Sequence, residues 1–196
     1  MAKLDVGCGM TRRLDEDGVP YIRMDKLELT EPDILWDIEN IPWEAKDDTY
    51  EEILMSHVIE HVKPNLVVDV MNECWRVMGL DGLLRIAVPE ASSFRGDSDP
   101  THYKGWTDLT IWYFCPENPA VWSIYMPKPW RMDKMWRNSS GDYLIEVRKI
   151  AENKDVIDDI SKRFKESPSQ DSPFGGQNGG RRRRDSSDEE TENKDT

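Results

Sequence analysis

The chain has 196 residues and only three histidines, His57, His61 and His102, with Glu60 between the first two. If residues 57–61 turn helically, His57, Glu60 and His61 fall at i, i+3 and i+4 on one face. Two imidazoles and a carboxylate there, with His102 reaching across, form a ligand set for zinc, manganese or iron. The same groups can also work without a metal. In that case His57 lines a cofactor pocket, Glu60 and His61 hold a loop, and His102 positions a substrate or acts as a base. The catalytic candidates are therefore His61, His102 and Glu60; the candidate metal ligands are His57, Glu60, His61 and His102.

A second group lies near the start, in Lys3-Leu4-Asp5-Val6-Gly7-Cys8-Gly9. Leu4 and Val6 suit a parallel strand covered on both faces. Gly7 and Gly9 let the backbone turn sharply and approach a ligand closely. Asp25 closes the next apolar stretch, Tyr21-Ile22-Arg23-Met24, and stands 20 residues beyond Asp5. That is about the offset at which a nucleotide-binding fold places the acid that grips a ribose.

The elements that would carry these residues can be read in order. After Gly9, residues 10–20 contain Asp15-Glu16-Asp17-Gly18 and Pro20, which predict a loop in place of a first helix. Asp33–Ile38 reads as a third strand and Glu51–His57 as a fourth. Residues 65–78 show one apolar stripe at helical spacing, with Asn65 and Gly79 as its expected ends and Asp69, Asn72, Glu73 and Arg76 facing away. Leu83–Pro89 is a fifth strand. Residues 107–115 read as helical, while 121–126 and 142–150 read as strands pairing antiparallel at the end of the sheet. Residues 152–166 suggest a closing helix, with Val156, Ile160 and Phe164 in line. The expected organisation is a domain over 1–150, a C-terminal helix over 151–166 and a disordered tail over 167–196. The fold class is α/β, a Rossmann-like and mostly parallel sheet with an antiparallel C-terminal strand.

Composition narrows the partners. The formal charge is −13, and from Ser167 onward 5 Lys+Arg against 7 Asp+Glu leave −2 to the tail and −11 to the body. So acidic a body disfavours nucleic acid. No apolar run reaches the ~20 residues that span a bilayer, so no membrane insertion is expected. Cys8, Cys74 and Cys115 are odd in number and lack metal-like spacing, which points to a reducing, cytoplasmic setting.

Taken together, these stretches resemble the class I S-adenosylmethionine-dependent methyltransferases, in the compact branch related to the type 11 methyltransferase domain. The resemblance rests on Leu4–Gly9, Asp25, Asp37-Ile38 with Ile41-Pro42, and Ser56-His57-Val58-Ile59-Glu60-His61. It continues through Glu73–Gly82, Val88-Pro89, and Asp99-Pro100-Thr101-His102 with Trp106-Thr107. It implies that S-adenosylmethionine is bound by Asp5, Gly7, Cys8, Gly9, Asp25, Asp37, Ile38, Ser56 and His57. Gly7, Cys8 and Gly9 would pass under the methionine part, Asp25 would accept from the ribose, and Asp37 and Ile38 would flank the adenine. Thr11 replaces the third glycine of the usual pattern, so Arg12 or Arg13 would meet the cofactor carboxylate. The implied activity is methyl transfer to a small-molecule or glycan acceptor, at oxygen. Some similar methyltransferases hold a divalent ion beside the Glu-His pair. The alternative is a non-catalytic, cofactor-binding or interaction module of the same fold.

Overall fold

In a computed structural model, residues 2–166 are described. Seven strands form one sheet in the order β3-β2-β1-β4-β5-β7-β6. They are β1 (Ala2–Val6), β2 (Ile22–Asp25), β3 (Ile34–Leu35), β4 (Tyr50–Ser56), β5 (Met78–Pro89), β6 (Trp130–Arg137) and β7 (Asp142–Lys149). The first five are mutually parallel. β7 runs against both of its neighbours. This is the expected α/β, Rossmann-like sheet with a reversed C-terminal strand.

The helices are α1 (Val67–Val77), α2 (Phe94–Ser98), α3 (Pro119–Tyr125) and α4 (Lys154–Glu166), with short 3-10 turns at Glu28–Thr30, Ile59–His61 and Thr110–Phe114. No helix joins β1 to β2. Leu14 bridges to Pro20 instead, closing a small loop. No described helix is long and apolar enough to cross a membrane. The expected tail, 167–196, lies outside the described residues.

The core forms on one face of the sheet, and the expected covering of β1 on both faces does not occur, because Lys3, Asp5, Arg23, Glu52 and Arg85 take the alternate positions on the other. Leu4, Val6, Ile53 and Met55 are essentially inaccessible, and the α1 stripe of Val70, Met71, Cys74 and Val77 packs over them. Burying such a side chain is worth roughly 1.5–3 kcal/mol, which explains why β1 and β4 lie at the middle. Glu73 departs from expectation: it is buried, not outward, because it accepts the Trp43 amide at 2.7 Å and pairs with Arg76. α1 also lacks the expected ends. Leu66 stands at its N-cap with no side-chain hydrogen bond, and the chain passes directly into β5 at Met78.

Two further readings need correction. Residues 121–126 are not a strand, since Pro119 opens α3 there and fixes a helical first turn. The true partner of β7 is β6, whose alternation is broken by a register shift between Met132 and Lys134. Residues 94–98 form α2, with the Ser93 hydroxyl accepting from the Gly96 amide.

Candidate active site

A cavity of about 720 Å³ opens at the carboxyl ends of β1, β2 and β4. In parallel α/β sheets this is where ligands bind. Gly7, Asp25, Asp37, Ile38, His57, His61 and His102 all line it. Asp5, Cys8, Gly9, Ser56 and Glu60 do not. Asp5 and Cys8 are buried beneath the turn, Ser56 ends β4, and Glu60 lies behind the histidines.

The turn is built around Asp25. Its Oδ2 accepts the Gly9 amide and its Oδ1 the Leu27 amide, both at 2.9 Å. Each oxygen keeps a lone pair for a ligand. Gly7 takes φ +64°, and a Cβ there would lie 1.9 Å from a Val58 methyl, so no other residue fits. At Gly9, also left-handed, a Cβ would meet nothing within 4 Å, so only backbone strain argues for glycine.

Arg23 does what the missing helix would otherwise do. Almost fully buried, it donates to the carbonyls of Gly9, Thr30 and Glu31, each at 2.7 Å. Arg13 pairs with Asp5 at 2.7 Å, and Arg12 faces Glu31 at 3.5 Å. Burial pushes the Asp5 carboxyl up, against the pull of Arg13. Neither Arg12 nor Arg13 lines the cavity; Lys26 is the lysine on its described wall. Trp36 and Leu27 also line it beside Ile38, giving an apolar slot for a flat ring.

The opposite wall is the histidine cluster. Residues 57–61 are not one helix: His57 sits at φ +57° and the 3-10 turn begins at Ile59. His57 Nδ1 nevertheless lies 3.3 Å from Glu60 Oε1, and His102 Nε2 lies 4.0 Å from the same oxygen. The His61 and His102 rings meet edge-on with centroids 4.6 Å apart. Glu60, His61 and His102 each offer a ligand atom within 4.8 Å of the others, and His57 falls outside that group.

Hydrogen bonds set the histidine tautomers. His102 Nδ1 is 2.9 Å from the Gly96 carbonyl, which can only accept, so Nδ1 carries the proton. The Thr101 hydroxyl donates to Asp99 Oδ1 at 2.7 Å and accepts from His61 Nδ1 at 2.9 Å. In the neutral tautomer that these bonds select, each ring presents an Nε2 lone pair. The same Thr101 contacts hold the Asp99 carboxylate below its ordinary range. Asp99 and Thr101 stood inside a recognised motif, but nothing in the sequence showed that they orient His61. Asp142 had no such signal; the end of β7 brings it within 3.8 Å of His57 Nε2 and 3.3 Å of Arg95.

The hydrogen bond to Glu60 raises the His57 pKa above its ordinary 6.5, and burial opposes this. A raised histidine pKa contributes stability that is fully present below 6.5 and lost as pH rises through the folded value. Glu60→Gln should lower the His57 midpoint, measured by NMR titration of its ring protons. A midpoint unmoved by the substitution would contradict this pairing.

A second cavity of about 550 Å³ shares His57, His61, Pro100 and His102 with the first and continues past Phe94 and Arg95. The imidazoles thus form a wall between two adjoining spaces.

No family model and no curated protein matches the sequence. Solved structures do match its fold. A SAM dependent methyltransferase from Archaeoglobus fulgidus aligns at TM-score 0.51 and 17% identity, over 84% of this chain and 78% of that one. The 1,6-didemethyltoxoflavin-N1-methyltransferase of Burkholderia thailandensis, solved with S-adenosylhomocysteine and 1,6-didemethyltoxoflavin, aligns at 0.50 and 13%, over 76% and 71%. The cyclase SpnF aligns at 0.56 and 11%, over 76% and 74%. At these identities the likeness is one of fold, and that fold is the one the S-adenosylmethionine-dependent methyltransferases share.

Proposed function

We propose that this chain, built on the methyltransferase fold, moves a methyl group from S-adenosylmethionine to a hydroxyl of a small molecule or glycan in the cytoplasm. One observation carries the reading: a cofactor-sized cavity, walled by Gly7 and Asp25 on one side, adjoins a second space across His57, His61 and His102. A structural neighbour that holds S-adenosylhomocysteine and a small-molecule substrate supports it.

The cofactor supplies a methyl group on a sulfonium, whose S–C electron pair stays on sulfur as the methyl leaves. The free lone pairs of Asp25 would accept from the ribose hydroxyls. Ile38 and Trp36 would bound the adenine, with Asp37 beside them, and the turn Gly7-Cys8-Gly9, which follows Asp5, would carry the methionine part. His102 is the better base, because its Nε2 faces the buried Glu60, which stabilises the imidazolium that forms. His102 Nε2 would take the proton of the acceptor hydroxyl. Holding both partners in line is the larger part of the catalysis.

The free Nε2 atoms of His61 and His102 beside the Glu60 carboxylate also suit a divalent cation, since metal-bound histidines typically donate their other ring N–H to a fixed acceptor. Such an ion would polarise the acceptor hydroxyl there. The alternative function is a non-catalytic, cofactor-binding or interaction module, since the fold by itself does not fix an activity and a cyclase also matches it.

Single-turnover assay with labelled S-adenosylmethionine and fractionated cell extract tests all three. Label should pass to a small-molecule or polymer fraction, and S-adenosylmethionine, not NADH, should raise the melting temperature. Tight binding without transfer would favour the module. His102→Ala with normal turnover would remove that base, and full activity in chelator would exclude the cation.

A further inference from the structure

A cavity of about 560 Å³ lies behind the histidine cluster and shares only Val62 with the first. Trp106, Tyr113, Phe114 and Tyr125 contribute rings to its wall. Trp106 and Phe114 stack at 6.4 Å between centroids, and Tyr113 and Tyr125 tilt together at 5.7 Å. Glu60 is the acid on this wall. Its Oε1 faces His57 and His102, but its Oε2, fully buried, has no hydrogen-bond partner among the described residues.

A buried carboxylate oxygen with no donor is costly, and buried polar groups normally find partners. Aromatic faces supply no such donor, but their negative quadrupole attracts a positive charge. Ring faces around one unsatisfied carboxylate therefore match a cation with an apolar skin. Lys104, exposed on the rim and without an ion-pair partner among the described residues, is the competing charge. α3, which brings Tyr125, has no buried residue, so this wall is thinly held.

We propose that this cavity binds an organic ammonium ion, its alkyl groups against the rings and its charge opposite Oε2 of Glu60. The site meets the proposed methyl-transfer site at Glu60, whose other oxygen faces the histidines, and does not depend on that reading. Isothermal titration of the full chain with choline and with its uncharged isostere 3,3-dimethylbutan-1-ol tests it. Choline should bind about tenfold tighter than the alcohol or better, and Lys104→Met should tighten it further. Glu60→Gln should abolish the preference for charge. Tyr125→Leu should weaken choline severalfold while leaving the melting shift from S-adenosylmethionine intact. Equal affinity for the two ligands, or no choline binding below ~10 mM, would overturn the proposal. So would a charge preference retained by Glu60→Gln. If that variant does not fold, unchanged choline affinity in Tyr125→Leu would overturn it instead.

Discussion

Asp25→Ala is expected to abolish the stabilisation of the protein by S-adenosylmethionine. The substitution acts twice. It removes the carboxylate whose free lone pairs face the cavity, and it orphans the Gly9 and Leu27 amides that shape the turn. Hydrogen bonds to a charged acceptor contribute ~1.5–3 kcal/mol each, so losing two from a ribose should lower affinity by roughly 10²–10⁴-fold. Asp25→Asn should fall between, keeping one acceptor oxygen. Circular dichroism must first show both variants folded. Affinity within threefold of the parent chain in Asp25→Ala would show that the ribose is not held there.

The second large effect is expected at Arg23. Arg23→Met keeps an apolar stem but leaves the carbonyls of Gly9, Thr30 and Glu31 without their donor. Buried groups stripped of partners cost ~1–3 kcal/mol each, for a total near 3–5 kcal/mol after local relaxation. In a chain of this size that corresponds to a melting temperature lower by roughly 10 °C. Arg23→Lys should recover only part, because one ammonium cannot match the planar spread of a guanidinium. A loss under 2 °C in Arg23→Met would mean the turn is held by the backbone alone.

Arg23 also shows where sequence reading stops. The strand through Arg23 was legible from Tyr21, Ile22 and Met24, yet nothing in the sequence marked its arginine as buried. Only the missing first helix, itself visible in Asp15–Gly18 and Pro20, leaves room beneath the turn for a buried guanidinium. The sheet centre and α1 were readable because their apolar periods are uninterrupted. Residues 119–137 were not. Val121, Trp122, Ile124 and Tyr125 are strand-forming types placed in a helix by Pro119, while Asp133 and Lys134 interrupt the alternation of β6 at its register shift. At the candidate site, Asp25, Asp37, Ile38 and the histidines could be named because they lie in compact motifs at strand ends. Asp142 could not, since the sheet brings it to His57 from 85 residues away.

The close fit of Gly7 against Val58 has a kinetic side. With a Val58 methyl where a Cβ would be, the turn after β1 and the segment after β4 can slide past each other very little. His57 directly precedes Val58, so the glycine turn and the imidazole wall are held as one unit before any ligand arrives. A site pre-set in this way asks neither ligand to shape it for the other, and under the proposed reaction cofactor and acceptor should bind in either order.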